Sequence, residues 1–323
     1  MNPSLLIAAC AITACLSGIS NTGAAEAWPN KPLRFILPSQ PGTSADIAAR
    51  ALAQQLSKTW KQQVVIDNRP GAGTIVASQT LAAAPADGYT FAWVLAAHAA
   101  NPSLYRKLPY DTLQDFAGVT LLYSLRSVIT AAPGLPANDV NELVALANAK
   151  PGEVTFTSPL PGSIPHLLGE LFKRKQNLQM EHIGYKGSVA AHTDVIAGRV
   201  AVMFDILPSA LPQIRARRLK ALAVVGDAPA KELPGVPALS GLLPPNALAG
   251  WNGIVVAART PKDIVKKLNT DLIAAVRSRE VQELFNTLTV DTVTNTPQEF
   301  DAFIRSEIVF WGEVVRSAGI KVE

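Results

Sequence analysis

The chain has 323 residues, of which 29 are Lys or Arg, 25 are Asp or Glu, four are His and two are Cys. A charged fraction of 17% beside an apolar fraction of 48% excludes a disordered or supercharged polypeptide, and the length predicts two domains. A formal charge of +4 is too dilute for a nucleic-acid surface, and two cysteines build neither a disulfide scaffold nor a four-ligand zinc site.

No charged residue occurs from Met1 to Ala25, and the apolar run from Leu5 to Leu16 is too short to span a bilayer. Followed by the small-x-small triplet Ala25-Glu26-Ala27, residues 1–27 read as a secretory signal removed ahead of Trp28. Cys10 and Cys15 each follow a short apolar and small stretch, as a lipid-anchored terminus would require. Either site leaves an unusually short signal, so plain secretion is expected in place of lipid anchoring. The chain from Trp28 onward then has no cysteine, which excludes thiol catalysis and disulfides, and loss of Glu26 raises its net charge by one.

Short apolar runs then alternate with helical patterns. LRFILP (33–38) reads as a buried strand, and ADIAARALAQQLSKTW (45–60) as a helix with Ile47, Ala51, Leu52 and Leu56 at helical spacing. QVVIDN (63–68), a helix near 75–84 and TFAWVL (90–95) repeat the unit. A second set follows residue 125: strand SVITAA, a helix opened by a capping-box pattern of Asp139 and Glu142, and strand VTFTS. Helix 163–174, strand MEHIGY, helix 189–197, strand VAVMFDIL, a proline-bracketed helix and strand LKALAVV complete it. Leu233 to Ala258 is free of charge, but Pro234, Pro237, Pro244 and Pro245 make residues 233–250 a linker, not a membrane helix. Strand WNGIVVA and three helices follow, the last over about 298–318 with Gly319 as its C′ residue. This alternation predicts α/β domains with mainly parallel sheets.

Two strand-to-helix junctions look alike: Ser39-Gln40-Pro41-Gly42-Thr43-Ser44 and Ser158-Pro159-Leu160-Pro161-Gly162-Ser163. Each places hydroxyls and Pro-Gly where the first N–H groups of a helix are unpaired, which suits an anion. Turn geometry and capping alone would also ask for these residues, but one such loop per domain favours an anion held between two domains.

Other motifs carry less. Gly71-Ala72-Gly73 lacks the third glycine of a dinucleotide loop, and no phosphate loop or nucleophile elbow occurs. Ser163 and His166 lie one helical turn apart, yet Pro165 and the absence of a matched acid argue against a triad. No His spacing suits a metal. His98 and His166 are expected to line the cleft, His182 to sit in a strand and His192 on a wet helix face. Arg215, Arg217 and Arg218 read as a solvated helix end.

Several phrases carry a family resemblance over the whole chain from Trp28: WPNKPLRFILP, PGTSADIAARALAQQL, VVIDNRPGAG, APADGYTF, NPSLYRKLPYD, GSIPHLLGELFK, GYKGS, MFDILPSALPQI, LKALAV and TPKDIVKKLN. The chain resembles the Bug (Bordetella uptake gene) family, the periplasmic solute receptors of tripartite tricarboxylate transporters. The resemblance implies a Venus-flytrap fold, type II-like, with lobe 1 over 28–125 plus 249–323 and lobe 2 over 126–248. It implies a monomeric receptor that encloses a small carboxylate and meets integral-membrane transporter subunits, with no cofactor, metal, catalytic residue or nucleic acid.

By position, the implied lobe 1 contacts are Ser39, Gln40, Thr43, Ser44, Asp46 and the stretch Leu95 to His98, including Ala97. Those of lobe 2 are Ser158, Gly162, Ser163, His166, Asp205 and Ile206. Asp46 is expected to order its loop, since a second carboxylate would repel the ligand. Thr43, Ala97, Leu160 and Ile206 depart from the residues common in the family, and the last three make the site more apolar. The expected ligand is therefore a carboxylate with an apolar body in place of citrate or a dicarboxylic amino acid. A ligand-loaded partner of a membrane sensor needs the same cleft and remains the alternative.

Overall fold

The computed structural model describes residues 28–244 and 247–320, so the expected signal segment lies outside the described residues. Two six-stranded sheets organise the chain. The first has the order β12 (Asp291–Thr292), β4 (Phe116–Ser124), β11 (Trp251–Ala257), β3 (Thr90–Leu95), β1 (Leu33–Leu37), β2 (Val64–Asn68). The second has the order β10 (Ala238–Leu239), β9 (Lys220–Val225), β5 (Ser127–Ala131), β8 (Val202–Ile206), β6 (Thr155–Thr157), β7 (Glu181–Ile183).

The α/β expectation holds, but the sheets are mixed instead of mainly parallel. Parallel pairs occur where strand and helix alternate, β1 with β2 and β3, and β6 with β7 and β8, and also between β9 and β10, which a loop joins. Antiparallel pairs surround β4, β11 and β5. These strands carry the chain between the lobes. β4 runs through Leu125 and Arg126 straight into β5, and β11 returns to the first sheet after residue 250. β5 and β11 enter from the other lobe without a crossover helix to reverse them, so they pair antiparallel with their neighbours, and β4 pairs antiparallel with β11.

Local chemistry fixes the helices. In α1 (Ser44–Trp60) the Thr43 hydroxyl accepts the Asp46 N–H at 3.3 Å, and Ala48, Ala49, Leu52, Ala53 and Leu56 are buried. Ile47, expected on that face, is exposed, because the apolar stripe runs one position later. In α4 (Val140–Ala149) Asp139 caps Glu142 as expected, but Glu142 reaches back to the Asn138 N–H at 2.6 Å instead of closing the box. The closed box belongs to α10 (Pro297–Ala318), where Thr296 and Glu299 bond reciprocally, and Gly319 ends the helix at φ 66°.

The two interlobe passes lie side by side. The Leu125 N–H donates to the Gly250 carbonyl at 2.9 Å, and a Cβ on Gly250 would sit 3.2 Å from Leu125 Cβ. Arg126 ties this hinge to both lobes, through Asp291 Oδ2 at 2.8 Å and the carbonyls of Ala228 at 3.0 Å and Pro229 at 3.1 Å. Among the described residues the expected linker 233–250 contains only β10, and no helix is long and apolar enough to cross a membrane.

Candidate ligand-binding site

A cleft of about 680 Å³ lies between the lobes, at the ends of β1, β2 and β3 on one side and of β6 and β8 on the other. Five helix starts face it: α1 through Ser44 and Ala45, α2 (Ile75–Ala82) through Thr74, and α3 (Ala97–Leu104) through Ala96 and Ala97. Lobe 2 adds α5 (Ile164–Lys175) through Gly162, Ser163 and Ile164, and α7 (Leu207–Arg215) through Ile206 and Pro208. Apart from the Asp46 N–H, which Thr43 caps, and Pro165, which has none, the first N–H groups of α1, α2, α3 and α5 lack an intrahelical acceptor, so these helix starts present partial positive charge to the cleft. The start of α7 is apolar, and its first N–H already donates to the Arg126 carbonyl at 2.8 Å. Among the described residues, no charged side chain lines the cleft. An anion there would be held by amide dipoles and neutral donors, in a site with Leu104, Tyr123, Leu125, Leu160, Leu288 and Val290 on its walls.

The two Pro-Gly loops share a construction. Gly42 at φ 84° and Gly162 at φ 76° take the left-handed conformation that lets each loop enter its helix. In each, the glycine N–H donates at 2.9 Å to the side chain four residues on, Asp46 Oδ2 in lobe 1 and His166 Nδ1 in lobe 2. Asp46 is buried and also receives Arg50 at 2.9 Å and Asn68 Nδ2 at 3.0 Å, while Asn68 reaches the Ser39 carbonyl at 2.9 Å. The Arg50 hydrogen bond, with help from Gly42 and Asn68, draws the Asp46 carboxyl down to about 2 against the opposing pull of desolvation. Asp46 therefore orders its loop and does not line the cleft. Thr43 bonds to Ser39 Oγ at 3.1 Å and to the Gln40 carbonyl at 3.0 Å, which commits all three to the same loop.

Of the residues expected to touch ligand, Ser44, Ala97, Gly162, Ser163 and Ile206 line the cleft. The Ser163 hydroxyl is turned to the Leu160 carbonyl at 2.6 Å. Gln40 and Thr43 lie exposed on their loop and Ser39 half-buried beside them, while Asp46, His98, Ser158, His166 and Asp205 are buried, and none of the eight lines the cleft. His98 is 0% exposed, turned into the lobe 1 core against Tyr110 and Phe116, and desolvation lowers its pKa to about 4. His166 stacks on His182 with ring centroids 3.8 Å apart, and Ser158 Oγ lies 2.9 Å from His182 Nε2. Desolvation first, then the neighbouring ring and Lys173, lowers the pKa of His166 to about 3. Asp205 is buried and accepts from His192 Nε2 at 2.7 Å. His192 is thus a buried partner of Asp205, not the wet helix position expected from sequence, because α6 (Ser188–Ile196) turns it inward against β8.

Among the polar residues of the cleft wall that were not anticipated, Thr74 and Asn252 leave a group without a partner. Thr74 caps no backbone group, holds φ 80°, is 7% exposed and leaves its hydroxyl without a partner. Asn252 is buried on β11 with its Nδ2 unpartnered. The Gly71–Thr74 turn, which resembles a weak nucleotide loop in sequence, forms part of the cleft instead. Its signal was the run of small residues after a strand. The far wall at Leu288 and Val290 left no such signal.

Two α/β lobes joined by paired passes, with helix starts converging on an uncharged cleft, define a bilobal solute-binding receptor. The family model of the tripartite tricarboxylate transporter family receptor, TctC, matches residues 48–320. BugT of Bordetella pertussis is 34% identical over 329 residues, covering 100% of both chains. The solved structure of R. palustris Rpa4515 with adipate matches at 30% identity and a TM-score of 0.78, covering 91% of this chain and 100% of that one. That of the periplasmic binding protein BugD matches at 26% identity and a TM-score of 0.74, with 91% and 100% covered. The chain belongs to the tripartite tricarboxylate transporter receptor family. Its family is one of solute-binding receptors.

Proposed function

We propose that this receptor works in the periplasm, after loss of residues 1–27, and captures a small carboxylate with an apolar body for the membrane subunits of a tripartite transporter. It acts as a monomer that closes lobe 2 (126–248) onto lobe 1 (28–125 plus 249–323). The carboxylate sits against the starts of α1 and α3 from one side and α5 from the other, near Ser44, Ala97, Gly162 and Ser163. Ile206 and Leu160 cover the apolar body. Asp46, His166, Ser158 and Asp205 hold the loops that do the gripping.

One observation carries this reading: the starts of four helices, α1, α2, α3 and α5, line a cleft where, among the described residues, no charged side chain is found. Two further carboxylates on a citrate would each need a cation or another set of amides, which the apolar walls do not offer. The adipate bound by Rpa4515, two carboxylates on a methylene chain, supports a ligand with an apolar body.

Thermal-shift titration against hexanoate, adipate, benzoate, citrate and aspartate tests the proposal. A ligand at a hundredfold excess over its Kd adds about 2.7 kcal/mol of stability. Stabilisation by hexanoate, adipate or benzoate is expected. Stabilisation by citrate or aspartate alone would overturn the apolar body. A phosphate ester or a metal released on denaturing the purified protein would overturn the carboxylate.

A further inference from the structure

Asn252 is the second residue of β11, is 1% exposed and lines the cleft. Its Oδ1 accepts the Trp93 indole N–H at 2.6 Å, while its Nδ2 has no partner among the described residues. An indole nitrogen only donates, so this bond fixes the amide orientation and leaves the NH₂ as the free end. A buried amide donor without an acceptor destabilises a fold, and an apolar residue would fill the same place without that penalty.

The position of Asn252 points to what its free end meets. In the sheet it pairs with Leu95 on one side and Tyr123 on the other, and both line the cleft. Leu95 leads into Ala96 and Ala97 at the start of α3, and the Ala96 N–H is tied to the neighbouring Trp251 carbonyl at 3.1 Å. The amide therefore stands beside a helix start in a cleft without cations. There a neutral, directional donor adds to the α3 dipole and distinguishes an oxygen from a methylene.

We infer that Asn252 is a specificity-determining residue, whose Nδ2 donates to an acceptor oxygen of the bound ligand beside the start of α3. The inference rests on the carboxylate reading above. It adds that the ligand presents an oxygen, from its carboxylate or from an adjacent carbonyl or hydroxyl, to the β11 wall.

Isothermal titration of the receptor with hexanoate, adipate and benzoate separates the two. Asn252→Asp keeps an acceptor for Trp93 and replaces the donor by a carboxylate, and Asn252→Ala removes both. Trp93→Phe removes only the indole donor. At pH 8, where the introduced carboxyl is kept ionised, affinity for whichever probe the wild type binds best should fall at least tenfold in both Asn252 variants, with the free Asn252→Asp protein melting below wild type because its buried carboxylate lacks a cation. Trp93→Phe should keep affinity within about threefold. Wild-type affinity in Asn252→Asp would overturn the inference and leave the carboxylate reading standing, as would equal losses in Trp93→Phe and Asn252→Ala. A wild type that binds none of the probes would overturn both.

Discussion

The backbone N–H of Gly162 donates to Nδ1 of His166 at 2.9 Å, and that bond exists only while the ring is neutral. His166 is thereby the lobe 2 counterpart of Asp46, with a ring nitrogen in place of a carboxylate oxygen. The folded state binds the His166 proton less readily, with a pKa of about 3, than the unfolded chain does near 6.5. Its contribution is complete above pH 6.5 and is lost as the pH falls from there toward 3. His166→Phe leaves the Gly162 donor unpaired and should cost about 1–3 kcal/mol at pH 7. His166→Asp restores an acceptor by the lobe 1 arrangement and should recover much of that loss. Urea midpoints of the three proteins at pH 7 and pH 4.5 check this, and equal stability of His166→Phe and His166→Asp at pH 7 would remove the loop-ordering role.

Glu307 on α10 gives the opposite pH response. It is buried behind the hinge, where its Oε2 accepts the indole N–H groups of Trp251 at 2.8 Å and Trp311 at 2.9 Å. Desolvation outweighs these bonds and raises its pKa from 4.5 to about 7. The folded state holds this proton more tightly than the unfolded chain, so the ionised carboxylate is a liability above pH 7. The penalty is relieved as the pH falls through 7 toward 4.5, and amounts to roughly 3 kcal/mol between those limits. Glu307→Gln keeps an oxygen for the indoles and cannot ionise. It should be more stable than wild type at pH 8 by about 2–3 kcal/mol and level with it at pH 5. Chemical denaturation at those two pH values is the measurement, and an unchanged difference between them would show that Glu307 does not titrate there.

Thr74 stores strain. A β-branched residue at φ 80° meets the left-handed penalty of about 1–2 kcal/mol, and its buried hydroxyl has no partner. Glycine removes both at a chain-entropy cost of roughly 0.5–1 kcal/mol. Thr74→Gly should therefore stabilise the ligand-free receptor by about 1 kcal/mol, a few degrees in melting temperature. If the variant melts lower than wild type, Thr74 packs in a way that outweighs its strain.

Much of this architecture was legible in the order of residues, and what was missed has physical reasons. Periodicity located nearly every strand and helix, and the two Pro-Gly loops stood out because left-handed glycine before a hydroxyl leaves a mark in sequence. Strand direction leaves none, so the antiparallel pairing of β4, β5 and β11 was not visible. Side-chain direction at the cleft was equally hidden. His98 adjoins cleft-lining Ala97, yet Tyr110 and Phe116 draw it into the core. Asn252 and Thr74 are marked by a missing partner, which only the folded chain reveals.

Ile206 tests the selectivity of the cleft most directly. It is the N-cap of α7, half-buried and without a polar side chain at a place where ligand would contact the lobe 2 wall. Leu160, 49% exposed on the facing Pro-Gly loop, lines the same wall. Closure over an apolar body would bury both, and full burial of one such side chain is worth about 1.5–3 kcal/mol. Ile206→Asn exchanges that apolar surface for an amide that must find a hydrogen-bond partner in the closed site. Its affinity for hexanoate should drop roughly tenfold, since each 1.4 kcal/mol is a factor of ten, while that for citrate should hold or rise. Leu160→Gly should weaken hexanoate less, because Leu160 starts more exposed. Calorimetric titration of both variants with hexanoate and citrate gives the ratio directly. A hexanoate-to-citrate preference that stays put in Ile206→Asn would mean the ligand's apolar body lies against the Leu288 and Val290 wall instead.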